Sequence, residues 1–212
     1  MRRRQSSRLL EGAKTTAMML AMIVLAAPIA TRSAQAQNTQ VRTAHATTAG
    51  HLDVAFTYDA ARADRVPGAT FWMQGAGAQI EGRFYRGLGA VAEVAGTHAG
   101  NINASGVGLD LVTAVFGPRY TWTAKSQKYA VFGQAFAGEA FGFNSVFPAV
   151  TGATVSSYSL AVEAGGGLNI ALSPRIALRA IEADWLRTQL PNATTNVQNN
   201  LRLSAGVVFR IR

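Results

Sequence analysis

Along residues 52–58, Leu52, Val54, Phe56 and Tyr58 alternate with Asp53, Ala55 and Thr57. Successive side chains of an extended chain point to opposite faces, so this period of two predicts a strand with one apolar and one mixed face. The contrast sharpens towards the C-terminus. Between Ser157 and Ile170, the residues Tyr158, Leu160, Val162, Ala164, Leu168 and Ile170 share one face, while Ser157, Ser159, Glu163 and Asn169 share the other. In the last stretch Leu201, Leu203, Ala205, Val207, Phe209 and Ile211 oppose Arg202, Ser204, Gly206 and Arg210. A helix would scatter both sets around its circumference.

Eight such segments are predicted: Leu52–Asp59, Phe71–Tyr85, Leu88–Thr97, Leu109–Trp122, Tyr129–Ala140, Ser157–Ala171, Arg175–Arg187 and Asn200–Ile211. Several exceed the ~9 to 11 residues that a tilted strand needs to cross a bilayer, which points to a membrane wall. The connections alternate in length. Arg86-Gly87, Ala124–Lys128 and Ser173-Pro174 read as short turns, and Ala60–Thr70, His98–Gly108, Phe141–Ser156 and Thr188–Asn199 as longer polar loops. Transmembrane barrels have short turns inside and longer loops outside. Placing the N-terminus in the periplasm puts all the long connections outside.

Two segments do not keep one phase. In Arg175–Arg187, Arg179 falls opposite Glu182 and Asp184 unless one extra residue, a β-bulge near Ala180-Ile181, restores them to a common side. In Tyr129–Ala140, Gln134 and Glu139 fall on opposite faces. The aromatic residues form two sets. Tyr58, Trp72, Phe141, Phe143, Tyr158 and Trp185 are expected near the long loops, and Phe84, Tyr85, Tyr120, Trp122, Tyr129 and Phe209 near the short turns. Membrane interfaces select two such girdles because these rings are amphipathic.

What precedes the first strand is different in kind. Arg2, Arg3, Arg4, Arg8 and Lys14 are followed by an apolar run from Ala17 to Ala30 and a small-residue Ala34-Gln35-Ala36 site, the order of a cleavable signal peptide over residues 1–36. Residues 37–50, rich in Thr, Ala and Gln, read as a flexible periplasmic arm, and 51–212 as the barrel domain. The leader also accounts for much of the basicity. It holds six of the twenty Lys/Arg and one of the eleven Asp/Glu, so the net charge falls from +9 to fourteen against ten, or +4. The remaining charges are spread singly, which argues against nucleic acid as a partner. With no cysteine, an exported chain cannot rely on disulfides.

With the apolar face towards lipid, the other face carries Glu81, Arg83, Glu93, Arg119, Glu163, Arg179, Glu182, Asp184 and Arg202. Charge on the lipid side is costly, and an eight-stranded barrel is only wide enough for side chains to fill it. These nine residues therefore predict a structural ion-pair network in the lumen. Catalytic constellations are weak: His45, His51 and His98 lack a legible Ser and carboxylate partner, although His98 stands where a lipid-modifying hydrolase would use it. No metal or cofactor is expected, since no dense ligand cluster occurs. Gly75-Ala76-Gly77 and Gly165-Gly166-Gly167 precede no helix and mark close packing or bends rather than a phosphate loop. Asn103-Ala104-Ser105 and Asn192-Ala193-Thr194 match the glycosylation triplet, which matters only in a eukaryotic source.

The segments Phe116–Trp122, Val131–Gln134, Gly165–Leu168, Arg179–Leu186 and Asn199–Phe209, in that order, resemble the bacterial outer-membrane-protein β-barrel family of small OmpA- or OmpX-like barrels, over about Leu52 to Ile211. The C-terminus is similar to that family's assembly signal at Ser204, Gly206, Phe209 and Ile211, departing from it where Ile211 replaces an aromatic residue and Arg212 follows. The resemblance implies an all-β, eight-stranded antiparallel up-and-down transmembrane barrel in the outer membrane. Expected partners are membrane lipid, lipopolysaccharide and the barrel-insertion machinery, with the chain a monomer. The expected role is structural or surface-interactive rather than enzymatic, and not that of a wide pore. The alternatives are a membrane-embedded lipid-modifying enzyme and a soluble exported barrel holding a small apolar ligand.

Overall fold

The computed structural model describes residues 51–65, 69–102, 106–149, 152–193 and 195–211. The segments read as leader and arm, with His45, lie outside the described residues, as does the Asn103-Ala104-Ser105 triplet. Eight strands run in chain order: β1 (His51–Arg65), β2 (Ala69–Tyr85), β3 (Leu88–Ala99), β4 (Leu109–Thr123), β5 (Tyr129–Ala149), β6 (Gly152–Ala171), β7 (Ile176–Thr188) and β8 (Gln198–Ile211). Each pairs antiparallel with its sequence neighbour, and β8 returns to β1 to close the barrel. Closure leaves no strand edge unpaired.

One end is made of tight turns. Between β2 and β3, Arg86 and Gly87 have φ of 39° and 90°, the two positive values that a two-residue type I′ hairpin needs. Gly87 is required there twice over, because a Cβ would also strike the carbonyl of Thr121, whose N–H donates to the Gly87 carbonyl at 2.8 Å. Between β6 and β7, Ser173 Oγ accepts from the Ile176 N–H at 3.0 Å and closes the turn.

The other end departs from the sequence reading. Ala60–Thr70 and Phe141–Ser156 are expected as loops, yet β1 continues to Arg65, β5 to Ala149, and β6 begins at Gly152. Pairing between Ala60–Arg65 and Ala69–Gln74 overrides the weak strand propensity of the alanines that fill this stretch. In β5 the register shifts between Phe143 and Phe147, with Asn144 at φ 56°, and this bulge breaks the alternation that would have marked the strand. Tyr58 accordingly sits halfway along β1 rather than at its end. The described residues between β3 and β4 and between β7 and β8 form no strand, and the Ile102 N–H donates to the Val107 carbonyl at 2.9 Å.

A bulge does fall in β7. Asn169 is opposite Arg179 while Leu168 is opposite Ile181, so Ala180 is the extra residue and Arg179, Glu182 and Asp184 all turn inward. In β5, Gln134 is buried and Glu139 exposed. The outward face carries Phe56, Ile80, Phe116, Leu160, Leu178, Leu201 and other exposed large apolar residues. At the turn end it bears Phe84, Tyr85, Tyr120, Trp122, Tyr129 and Phe209; at the loop end it bears Trp72, Tyr158 and Trp185, with Phe141 stacked on Tyr158 at 4.3 Å and on Phe143 at 5.2 Å. Water would penalise so continuous an apolar surface, and hydrocarbon would not.

Candidate functional site

The inside of the barrel is divided into a charged plug and an apolar mouth. All nine residues expected in the lumen face inward. Glu81, Glu93, Arg119, Glu163, Arg179, Glu182, Asp184 and Arg202 are buried, and Arg83 lies half-exposed at the turn end, where it pairs with Asp53 and reaches Glu81 at 3.3 Å.

Two clusters are joined by amides. In the first, Arg119 Nη1 lies 3.0 Å from Glu81 and Nη2 lies 3.4 Å from Glu182, while Arg179 Nη1 meets the other Glu182 oxygen at 2.8 Å. Both guanidinium groups lie near the Phe132 ring, at 4.4 and 4.8 Å from its centroid, and both donate to the Gln79 oxygen, so the two like charges are held close together by shared acceptors, Glu182 and Gln79, beside an aromatic ring that attracts each of them. In the second, Arg202 pairs with Glu93 and Glu163 and lies 3.7 Å from Asp184. Gln79 donates to Glu93 at 2.5 Å and to Glu182 at 3.0 Å, and its oxygen accepts from Arg119 at 2.7 Å. Gln134 accepts from Arg119 Nε at 2.8 Å and donates to Glu182 and Asp184, each at 2.7 Å.

Sequence reasoning missed Gln79, Gln134, Phe132, Asp53 and Asp59. The amides carry no charge to attract notice, Phe132 faces inward from a segment whose phase was ambiguous, and the two aspartates lie in a first strand whose other buried residues are small. Among the described residues, seven buried acids (Asp53, Asp59, Glu81, Glu93, Glu163, Glu182 and Asp184) face three buried arginines (Arg119, Arg179 and Arg202). In such a network each amide donor counts. Gln134→Leu is expected to cost about 1.5–3 kcal/mol of stability, the worth of hydrogen bonds to charged groups. Gln134→Glu, although closer in shape, is expected to cost more, because it sets an oxygen where Glu182 and Asp184 now receive a donor. Thermal unfolding in micelles, followed by heat-modifiable gel migration, would rank the two; a milder effect for glutamate would refute the role given to the amide.

Beyond the plug the inward face changes character. Met73, Leu111, Val115, Phe136, Ala140 and Leu186 form one apolar cluster with Ile102, Phe147 and Leu190 from the loop end. Within it is a cavity of about 280 Å³, open towards the loops and reaching inward to Asn200. This apolar mouth was not legible in the sequence, where inward positions were expected to be polar. The remaining residues singled out lie elsewhere. His98 Nδ1 is 2.5 Å from Asp110 Oδ1 across the β3–β4 ladder, Asn144 donates to the other Asp110 oxygen, and the imidazole is largely exposed at the loop end. On β8, Ser204 is buried in the lumen, whereas Phe209 and Ile211 are exposed on the outer wall.

No helix among the described residues is long and apolar enough to cross a membrane. No protein-family model matches the sequence, and no curated protein matches it by sequence. Solved structures do match. The chain is similar to Neisserial surface protein A, with 16% identity, a TM-score of 0.58, and 76% of this chain aligned with 97% of that one. It is also similar to Ail, the attachment invasion locus protein of Yersinia pestis, solved in complex with the heparin analogue sucrose octasulfate, with 17% identity, a TM-score of 0.52, and 76% of this chain aligned with 99% of that one. Likeness at this identity concerns the fold, and the fold is that of the small eight-stranded outer-membrane β-barrels.

Proposed function

From a fold that is that of the small eight-stranded outer-membrane barrels, we propose that this chain is an integral outer-membrane protein that acts at the cell surface without catalysis and without forming a wide pore. One observation carries the reading: a wall of mostly apolar exposed side chains surrounds a lumen closed by paired charges. Such a molecule is held by lipid and passes no bulk solvent. What it offers is its loop end. At 21 and 20 residues, β5 and β6 are far longer than the ~9 to 11 that a crossing requires, so their hairpin projects beyond the hydrocarbon with Val146 and Val155 exposed. That ribbon and its neighbours suit surface contact or support of the envelope, with lipid and lipopolysaccharide against the wall. Ail, of similar fold, is an attachment invasion locus protein, and surface attachment is the contact proposed for this loop end.

The exposed His98–Asp110–Asn144 group reads as a polar tie between strands rather than as a catalytic centre. The proposal also has the chain inserted by the barrel-assembly machinery through Ser204, Gly206, Phe209 and Ile211, and standing as a monomer. Fractionation of the tagged protein is expected to place it in the outer membrane, in a heat-modifiable form. Reconstituted into planar bilayers, it is expected to show no steady conductance. A protein that stays monodisperse in buffer without amphiphile, or that conducts like an open channel, would end this reading.

A further inference from the structure

We propose that the cavity at the loop end of the lumen is a binding site for a small apolar molecule carrying one hydrogen-bond donor, such as an aryl or medium-chain alcohol. At about 280 Å³ the cavity has roughly twice the ~150 Å³ that holds a benzene ring in a protein interior, enough for about a dozen non-hydrogen atoms. Its lining is mostly apolar, with Phe71, Met73, Leu109, Leu111, Phe147 and Leu190 among the residues, and carries a polar side made by Ser145, Thr188, Asn192, Gln198 and Asn200, the mixed surround that marks small-molecule pockets. The charged plug closes the other end of the lumen, so a molecule that enters from the loops is held rather than passed through.

The polar atoms of the cavity are not equivalent. Gln198 is committed to the loop: its oxygen accepts from Thr188 Oγ1 and from the Leu190 N–H, each at 3.0 Å, and its Nε2 donates to the Leu190 carbonyl at 2.7 Å. This clamp fixes Leu190 in the cavity wall. Asn200, 3% exposed and two residues from Arg202 on the same inward face, has a side-chain oxygen that accepts no hydrogen bond from the described residues. Buried acceptors are rarely left unmet. A hydroxyl or amine on an otherwise apolar ligand would meet this one, and the ionic cluster beyond it would repel a second apolar length.

The test uses 2-naphthol, naphthalene and 2-methoxynaphthalene as probes and the methyl resonance of Met73 as reporter, with the full chain folded in one kind of micelle. Met73, assigned by its loss in Met73→Leu, touches the site and is 1% exposed, so partition into the micelle alone does not move its signal in a saturable way. Saturable shifts are expected with 2-naphthol, and about tenfold weaker ones with naphthalene and 2-methoxynaphthalene, which lack a donor; tenfold is 1.4 kcal/mol, within the range of one hydrogen bond. Asn200→Leu is expected to remove the preference for 2-naphthol while leaving naphthalene unchanged. Leu111→Trp and Leu190→Trp are each expected to abolish saturation while the barrel keeps its heat-modifiable migration. Shifts that never saturate in the wild type, or that survive both fillings, would overturn the site. Equal binding of 2-naphthol and 2-methoxynaphthalene would overturn the donor requirement. Neither result bears on membrane location, which the fractionation decides separately.

Discussion

Arg202→Met is expected to destabilise the folded barrel by about 3–5 kcal/mol, the cost of breaking a buried ion pair by removing one partner. Arg202 is the cation that Glu93, Glu163 and Asp184 share, and the two glutamates and the aspartate are at most 3% exposed. Methionine replaces the volume of the arginine stem but leaves three carboxylates facing one another in a region that excludes water. Tryptophan fluorescence during urea unfolding from lipid vesicles would measure the loss. Adding Glu163→Gln to Arg202→Met is expected to restore part of it, because one charge is then gone and the amide can donate to a neighbour. A single-variant cost below about 1 kcal/mol, the ordinary value of an exposed pair, would show that the second cluster is not held as described.

The second large effect lies on the opposite face of the wall. Phe116 is at the middle of β4 and 63% exposed. Phe116→Arg is expected to weaken folding into vesicles by about 2–4 kcal/mol, the cost of an arginine facing lipid at the bilayer midplane. Val155→Arg, at a residue 74% exposed near the loop end of β6, is expected to cost about 0–1 kcal/mol, because the side chain there reaches headgroups and water. The pair measures depth. Equal costs at the two positions would mean that no hydrocarbon slab surrounds the barrel.

Much of this architecture was written in the period-two pattern. Where apolar and polar faces contrast, as in β8 with Leu201, Leu203 and Phe209 against Arg202 and Ser204, strand, phase and facing were all readable. The bulge at Ala180 was readable too, since three charges had to reach one side. Legibility failed where both faces are apolar. In β4, Leu111 and Val115 turn inward while Val112 and Phe116 turn outward, so the alternation has no contrast and the apolar mouth leaves no mark. It failed again in the alanine-rich extension of β1, whose strand state depends on its partner in β2. The charged half of the lumen could be inferred because charge facing lipid is costly. The amides Gln79 and Gln134, which connect its two clusters, are under no such exclusion and stand out only once the distances are known.

The seam between β1 and β8 pairs Leu52–Arg62 with Leu201–Ile211, near the two ends of the described chain. Every other ladder links neighbours in sequence, so this one contact sets the slow step: loop-closure entropy across the whole domain must be met before it forms. Until then both terminal strands are naked templates for pairing with other chains, and the greasy exterior has no lipid to cover it. A chain of this design is therefore expected to aggregate when its strands form with neither membrane nor detergent to cover them.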